Sequence, residues 1–278
     1  MSFFLVFENT NKGDKIMRIL ITGATSGIGF ELAKQLSKRG HVVYITAHTG
    51  EQCKQLKSKI KELELSILCF KMDIHVKKDR ELIEKINIDC LVNHAGIGNG
   101  GSVLEMDIST LRKNYETNVF SSFSLLQEFY QLKTQEQSKA KIFVTSSIAS
   151  MLPIPYLGCY TSSKAAISML VFTMKQELKY LNSNISISLI EPGAYHTGFN
   201  QVMIDNKNIF TNKNSKIYKN KDSINRLQRN LFAVIEKKNY NKLINKIIKE
   251  IESDNPKFKI RHPISQSIFA KIYLLFFR

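Results

Sequence analysis

From Arg18 onward the chain alternates short apolar, β-branched runs with longer amphipathic stretches. The runs are Ile19 to Thr22, Val42 to Thr46, Ser66 to Phe70, Ile88 to Val92, Lys141 to Thr145 and Ile185 to Ile190. Continuous apolar runs of this length belong to strands buried on both faces, and the helix-length segments between them supply the crossovers that parallel neighbours need. The pattern therefore predicts an α/β fold built from βαβ units around a parallel sheet. No repeat or proline-rich linker interrupts it up to about Asn200, so one continuous domain is expected.

The texture then changes. Residues 200–222 are polar with scattered apolar positions and no clean period, which reads as a long loop serving as a substrate lid. Beyond it, Leu227, Leu231, Val234 and Ile235, then Leu243, Ile244, Ile247, Ile248 and Ile251, recur at helical spacing until Pro256 closes the stretch, predicting a helical extension. Residues 264–278, ISQSIFAKIYLLFFR, form an apolar tail in a basic region. Residues 1–16 are a short N-terminal extension whose apolar burst lacks the positive start, the apolar stretch of about 7 to 15 residues and the cleavage site of a secretory signal. Met17 is the alternative start, and residues 17–263 the domain.

Composition narrows the class. With 278 residues, 43% hydrophobic and 23% charged, the chain can bury a sizeable core and is too apolar for intrinsic disorder. No run approaches the roughly 18 uncharged apolar residues of a membrane span. Cys53, Cys69, Cys90 and Cys159 show no metal-binding or dense disulfide spacing, which suits a reducing cytoplasm and predicts no metal. The formal charge is +16, and residues 212–278 hold 16 Lys or Arg against 5 Asp or Glu. That excess is either a solvated face or a patch for an anionic partner. Nucleic acid is not expected, because the basic residues form no recognised motif and no aromatic platform is interleaved with them.

The chemistry begins at Thr22 to Gly29, TGATSGIG, between a strand and a helix. Gly23, Gly27 and Gly29 let the backbone approach a pyrophosphate, and the following helix N-terminus offers free N–H groups and a positive dipole end. The spacing GxxxGxG resembles that of the short-chain dehydrogenase/reductase family. Further matches follow in order: Asp73 and Ile74, Asn93-His94-Ala95-Gly96, Asn118, Ser147, Tyr160-Thr-Ser-Ser-Lys164 and Pro192-Gly193-Ala-Tyr-His-Thr197. They cover Arg18 to Thr197, with a continuation to residue 261. The resemblance implies a single-domain, doubly wound Rossmann-type sheet with helices on both faces, and a dimer or tetramer formed through the helix of Tyr160 and the one before it.

It also implies roles. Gly23, Thr25, Ser26, Gly27, Ile28 and Gly29 would cradle the dinucleotide, Asp73 and Ile74 would flank its adenine, and Asn93, Ala95 and Gly96 would line it. Pro192, Gly193 and Thr197 would surround the nicotinamide. At the end of the second strand, VVYITAHTGEQ offers no carboxylate until Glu51. NADP-using relatives have Arg where His48 falls, so Thr46, His48, Thr49 and Ser26 suit a 2′-phosphate and the reading favours NADP over NAD. His48 is otherwise an exposed turn residue, and Asp73 otherwise a cap for the helix VKKDRELIEKI. His94 replaces the family's Asn and is read as structural.

Tyr160 and Lys164 lie one helical turn apart on one face, where an ammonium favours the phenolate. By resemblance Tyr160 is the general acid/base, and Lys164 tunes it and binds the nicotinamide ribose. Ser147, thirteen residues before Tyr160, hydrogen-bonds the reacting oxygen, with Ser146 as its competitor. Asn118 holds a proton-relay water, or bonds neighbouring main chain, or both. The expected reaction is reversible hydride transfer between a nicotinamide and a carbonyl or alcohol carbon. Apolar residues 151–158 and Phe199, Val202, Met203, Ile204 and Phe210 suit an apolar substrate or simply pack the lid. Ile264, Ile268, Phe269, Ile272, Leu275 and Phe276 would form a helical stripe for a membrane surface, unless the tail folds back on the domain or a twin subunit. A nonenzymatic NADP sensor would not need Ser147, Tyr160 and Lys164 together.

Overall fold

The computed structural model describes residues 16–205 and 215–276. Strands β1 (Arg18–Ile21), β2 (Val42–Ala47), β3 (Ile67–Lys71), β4 (Cys90–Asn93), β5 (Ala140–Thr145) and β6 (Ile185–Pro192) fall on the six apolar runs. A seventh, β7 (Lys259–His262), was not expected, because KIRH is short and charged. All pair in parallel in the order β3-β2-β1-β4-β5-β6-β7. The chain starts in the middle, moves out to β3, and returns across β1 to build the other half. That reversal opens a crevice at the carboxyl ends of β1 and β4, where doubly wound sheets hold ligands.

Helices cover both faces because neighbouring strand residues point opposite ways. In β1, Ile19 and Ile21 face α1 (Gly27–Lys38), α2 (Gly50–Glu62) and, from far along the chain, Ile244, Ile247 and Ile248. Leu20 faces the other layer. After α3 (Lys77–Arg80), α4 (Leu82–Lys85) and α5 (Ile108–Tyr115), that layer is built by α6 (Ser122–Gln135) and α7 (Gly158–Tyr180), through Leu125, Phe129, Ile167 and Val171. A π-helical turn, Glu116–Ser121, joins α5 to α6.

Two expectations are corrected. VKKDRELIEKI is not one helix but the short α3 and α4. At the end of α3, Arg80 turns inward, donating to the Ile74 carbonyl at 2.7 Å and to both Glu128 carboxylate oxygens at 2.9 and 2.8 Å. The lid is also not simply a loop: α8 (Phe199–Asp205), α9 (Lys216–Lys219) and α10 (Lys221–Ile235) take up its described part and continue past it. Met203 and Ile204 supply the reason, burying themselves with Leu157, Tyr160 and Phe232. Phe210 lies outside the described residues, as do residues 1–15, Phe277 and Arg278.

An isolated bridge pairs Tyr195 with Lys237 at the neck of this region. His196 N–H donates to the Lys237 carbonyl at 3.1 Å and Lys237 N–H to the Ala194 carbonyl at 3.0 Å. The chain then runs through α11 (Asn241–Glu252) and β7 into α12 (Ile264–Phe276). Arg261 of β7 pairs with buried Glu191 of β6. α12 rests on the domain through Ser267 and Ala270, with its large apolar residues exposed.

Candidate active site

The turn after β1 sits in the crevice. Thr22 organises it from beneath: its hydroxyl accepts from the N–H groups of His94 and Ala95, both at 3.0 Å, fixing the turn to the one after β4. Gly23 adopts φ +65, and a Cβ there would lie 2.7 Å from Ala95 Cα, so both backbone shape and space require glycine. Ser26, at the N-cap of α1, makes no side-chain capping bond. The first-turn N–H groups thus have no side-chain cap, which is the vacancy that an anionic diphosphate satisfies. Gly27 begins α1 beside Thr197, and Thr25 and Ile28 are half-buried at the same turn. These residues fit a dinucleotide.

The adenine end lies where β2 and β3 finish. Thr46 is buried and its hydroxyl accepts from Gly23 N–H at 3.3 Å, while Thr49 closes a capping box with Gln52 at the start of α2. Each hydroxyl accepts in these bonds and keeps its own O–H as a donor. His48 is exposed, with Nδ1 3.5 Å from Asp73, and His75 Nδ1 lies 3.4 Å from the same carboxylate oxygen. Asp73 also accepts from His75 N–H at 3.0 Å, an Asx turn after β3. Asn93 is buried, donating to the Ser122 carbonyl at 3.0 Å and so tying β4 to α6.

The reacting end gathers Ser147, Tyr160 and Lys164. Ser147 ends the segment after β5 as the N-cap of a 3-10 turn, Ile148–Met151, accepting from Ala149 N–H at 3.1 Å. Its hydroxyl donates to the Pro192 carbonyl at 3.4 Å, on the side where it also acts on the Tyr160 phenol. Ser146 points elsewhere, donating to the Lys164 main-chain carbonyl at 3.0 Å. Burial pushes the Tyr160 phenol up to about 12, against the opposing pull of Ser147. Burial also pushes the Lys164 ammonium down to about 8. The Lys164 Nζ donates to the Thr145 carbonyl at 2.9 Å. Asn118, in the π-helical turn, bonds the main chain of Ile97 at both N–H and C=O, 2.9 Å each, and Ser163 at 3.0 Å. It holds the Gly96 strand end in place, 3.1 Å from where a Gly96 Cβ would stand.

A model of the short chain dehydrogenase family matches residues 17–208. The chain belongs to this family. The dehydrogenase is 30% identical over 261 residues to the 3-ketodihydrosphingosine reductase of Bacteroides thetaiotaomicron, spanning 91% of this chain and 90% of that protein. It is 29% identical over 187 residues to an NADPH-dependent 3-dehydrocapnine reductase of Ornithobacterium rhinotracheale, covering 64% and 65% of the two. A solved short chain dehydrogenase/reductase from Burkholderia phymatum, in complex with NAD, shares the fold with a TM-score of 0.77 at 20% identity, covering 93% and 92%. The dehydrogenase is accordingly an oxidoreductase of an NAD(P)-binding family.

Several residues at the site of the dehydrogenase escaped the sequence reading. Thr145 anchors Lys164 through a main-chain carbonyl, and its hydroxyl meets His94 Nδ1 at 3.0 Å. His94 fills the space under α1, where a Gly29 Cβ would lie 2.7 Å from its ring. Burial, then the Lys164 charge, pushes this imidazole down to about 4, so it stays neutral. Phe199, read as suiting an apolar substrate or packing the lid, has its ring 5.6 Å from that of Tyr160. Gly193 and Ala194 lie against Gln266 of α12, whose Oε1 accepts from Ala194 N–H at 2.8 Å.

Proposed function

We propose that the dehydrogenase moves a hydride between NADP and a ketone or secondary alcohol carried on an apolar, lipid-type molecule. The observation that carries this reading is the meeting of Ser147, Tyr160 and Lys164 beside the dinucleotide crevice. Bound NADP supplies or accepts the hydride at its nicotinamide. In reduction, Tyr160 is the proton donor: its raised phenol keeps its proton at neutral pH and passes it to the carbonyl oxygen as hydride arrives at the carbon. Ser147 donates a hydrogen bond to that same oxygen. Lys164, charged below pH 8, holds the ribose and stabilises the phenolate left behind. Asn118 keeps the neighbouring backbone in register for the proton relay.

NADP is favoured by the absence of a carboxylate from the end of β2 through Thr49, and by exposed His48 there. The NADPH-dependent relative points the same way. Substrate class follows from the wall around Tyr160: Ile154, Leu157, Phe199, Met203, Ile204 and Phe232 are apolar. Two relatives named as reductases of 3-ketodihydrosphingosine and 3-dehydrocapnine support a long-chain 3-keto compound. Exposed Phe120, Met169 and Leu170, before α6 and on α7, support assembly into a homo-oligomer.

An absorbance screen of NADPH and NADH against long-chain 3-ketones and short soluble ketones tests cofactor and substrate together. Tyr160→Phe is expected to lower turnover at least about a thousandfold while leaving NADPH affinity within about threefold, since only the proton donor is lost. Normal turnover by this variant would reject the assignment.

A further inference from the structure

Helix α12 is turned inside out. Its buried residues are the small Ser267 and Ala270, whereas Ile264, Ile268, Phe269, Ile272, Leu275 and Phe276 are 48 to 81% exposed. Helix α10 repeats the anomaly: Leu227, Leu231 and Val234, one stripe at helical spacing, are 69%, 48% and 83% exposed. Scattered exposed apolar residues are ordinary, but a large apolar side chain at nearly every solvent-facing position of a helix marks an interaction surface.

The two helices are joined. Gln266 of α12 donates from Nε2 to the Ile235 carbonyl at the end of α10, at 2.8 Å, and its Oε1 holds Ala194 N–H beside the active site. Neither helix is long and apolar enough to cross a membrane. Both have the length of segments that lie in the interface plane. Charge selects the occupant. Exposed Arg226, Arg229, Lys237, Lys238 and Lys271 border the stripes, within a region of 16 basic and 5 acidic residues. A second copy would bring the same sign of charge to this face, and an anionic lipid surface brings the opposite one.

We propose that α10 and α12 dock the enzyme on an anionic phospholipid bilayer surface. Phe232, on the inner side of α10, packs in the cluster that contains Tyr160, so the docking helix and the wall of the active site are two sides of one element. An amphiphile in the outer layer of the membrane then lies next to the lid. This last consequence rests on the reductase reading; the docking does not.

The test is flotation of the full chain with vesicles of phosphatidylcholine alone and of phosphatidylcholine with about one-third phosphatidylglycerol. The wild type is expected to float with the anionic vesicles about tenfold more than with the neutral ones. Two variants, Ile268→Ser/Ile272→Ser/Leu275→Ser and Leu227→Ser/Leu231→Ser, should each lose about tenfold of that binding. Consumption of NADPH with a short soluble ketone, measured on the same samples, reports folding and the reductase reading. Active protein that does not float, or variants that float as well as the wild type, overturns the docking. So does a fall in oligomer size for the α12 variant with no vesicle binding by the wild type, which would make the face a contact between copies. Flotation of a folded chain inactive on every ketone would count against the reductase reading and leave the docking standing.

Discussion

Lys164 keeps an ammonium inside the protein, bonded to a main-chain carbonyl rather than to a carboxylate. Its folded value, about 8, lies below the ordinary 10.5 of lysine, so the sign of its effect is fixed. Below pH 8 both folded and unfolded chains carry the proton and the burial penalty is fully present. Between about 8 and 10.5 the folded chain releases it first, the unfolded state binds more protons, and stability rises with pH. Without cofactor, Lys164→Met is expected to be more stable than wild type by about 1–3 kcal/mol at pH 7. The gap should close as pH rises to 10.5, as read by urea melts of the two proteins side by side. An equal gap at both pH values would count against a buried ammonium. The structure brings Tyr160, Lys164 and Ser147 together, and they were legible in the sequence through the ordered set of motifs that carries the family resemblance. Thr145 and Thr22 were not, since they act through a carbonyl and a hydroxyl directed at main chain, which any residue pattern hides.

At the scale of elements, α10 and α11 make the sharpest contrast. Both carry apolar residues at helical spacing, yet Leu243, Ile244, Ile247, Ile248 and Ile251 are buried to 1% or less while Leu227, Leu231 and Val234 face out. Periodicity reports that a helix has an apolar side; it does not say what that side meets. The strand β7 was illegible for the opposite reason. Its four residues are mostly polar, and they pair with β6 because Arg261 reaches Glu191, which is only 2% exposed. Removing one partner of such a pair leaves the other charge buried and alone. Arg261→Ala should therefore cost about 3–5 kcal/mol, far more than loss of an exposed pair such as Arg229 with Asp205. Thermal melts of Arg261→Ala and Arg229→Ala compare the two, and similar losses would refute the structural role given to β7.

Across the whole molecule, six strands and their parallel pairing were readable from the apolar runs, because a parallel sheet buried on both faces writes itself as continuous apolar text, while the doubly wound arrangement was implied by the family resemblance. Between β6 and β7 the periodic stretches of α10 and α11 were readable, but α8 was not: it is held by tertiary contacts, Phe199 and Met203 on Tyr160 and its neighbours, rather than by a repeating pattern. The bridge of Tyr195 with Lys237 brings the two ends of the segment between them together. Asn200 Nδ2 reaches Glu236 at 2.7 Å and His196 Nδ1 reaches the same carboxylate at 2.8 Å, so the two ends of the segment leave and re-enter the domain at one clasp. Closing a longer or shorter excursion at a fixed clasp changes the entropy only slowly with length. Exchange of the segment between these ends tests what it controls: splicing in the corresponding segment of another family member should change ketone preference while leaving NADPH affinity within about threefold. Loss of nucleotide binding in a folded splice would show that the clasp does not insulate the sheet. In evolutionary terms, one crossover at a hairpin-like neck would be enough to give the same hydride machinery a new clientele.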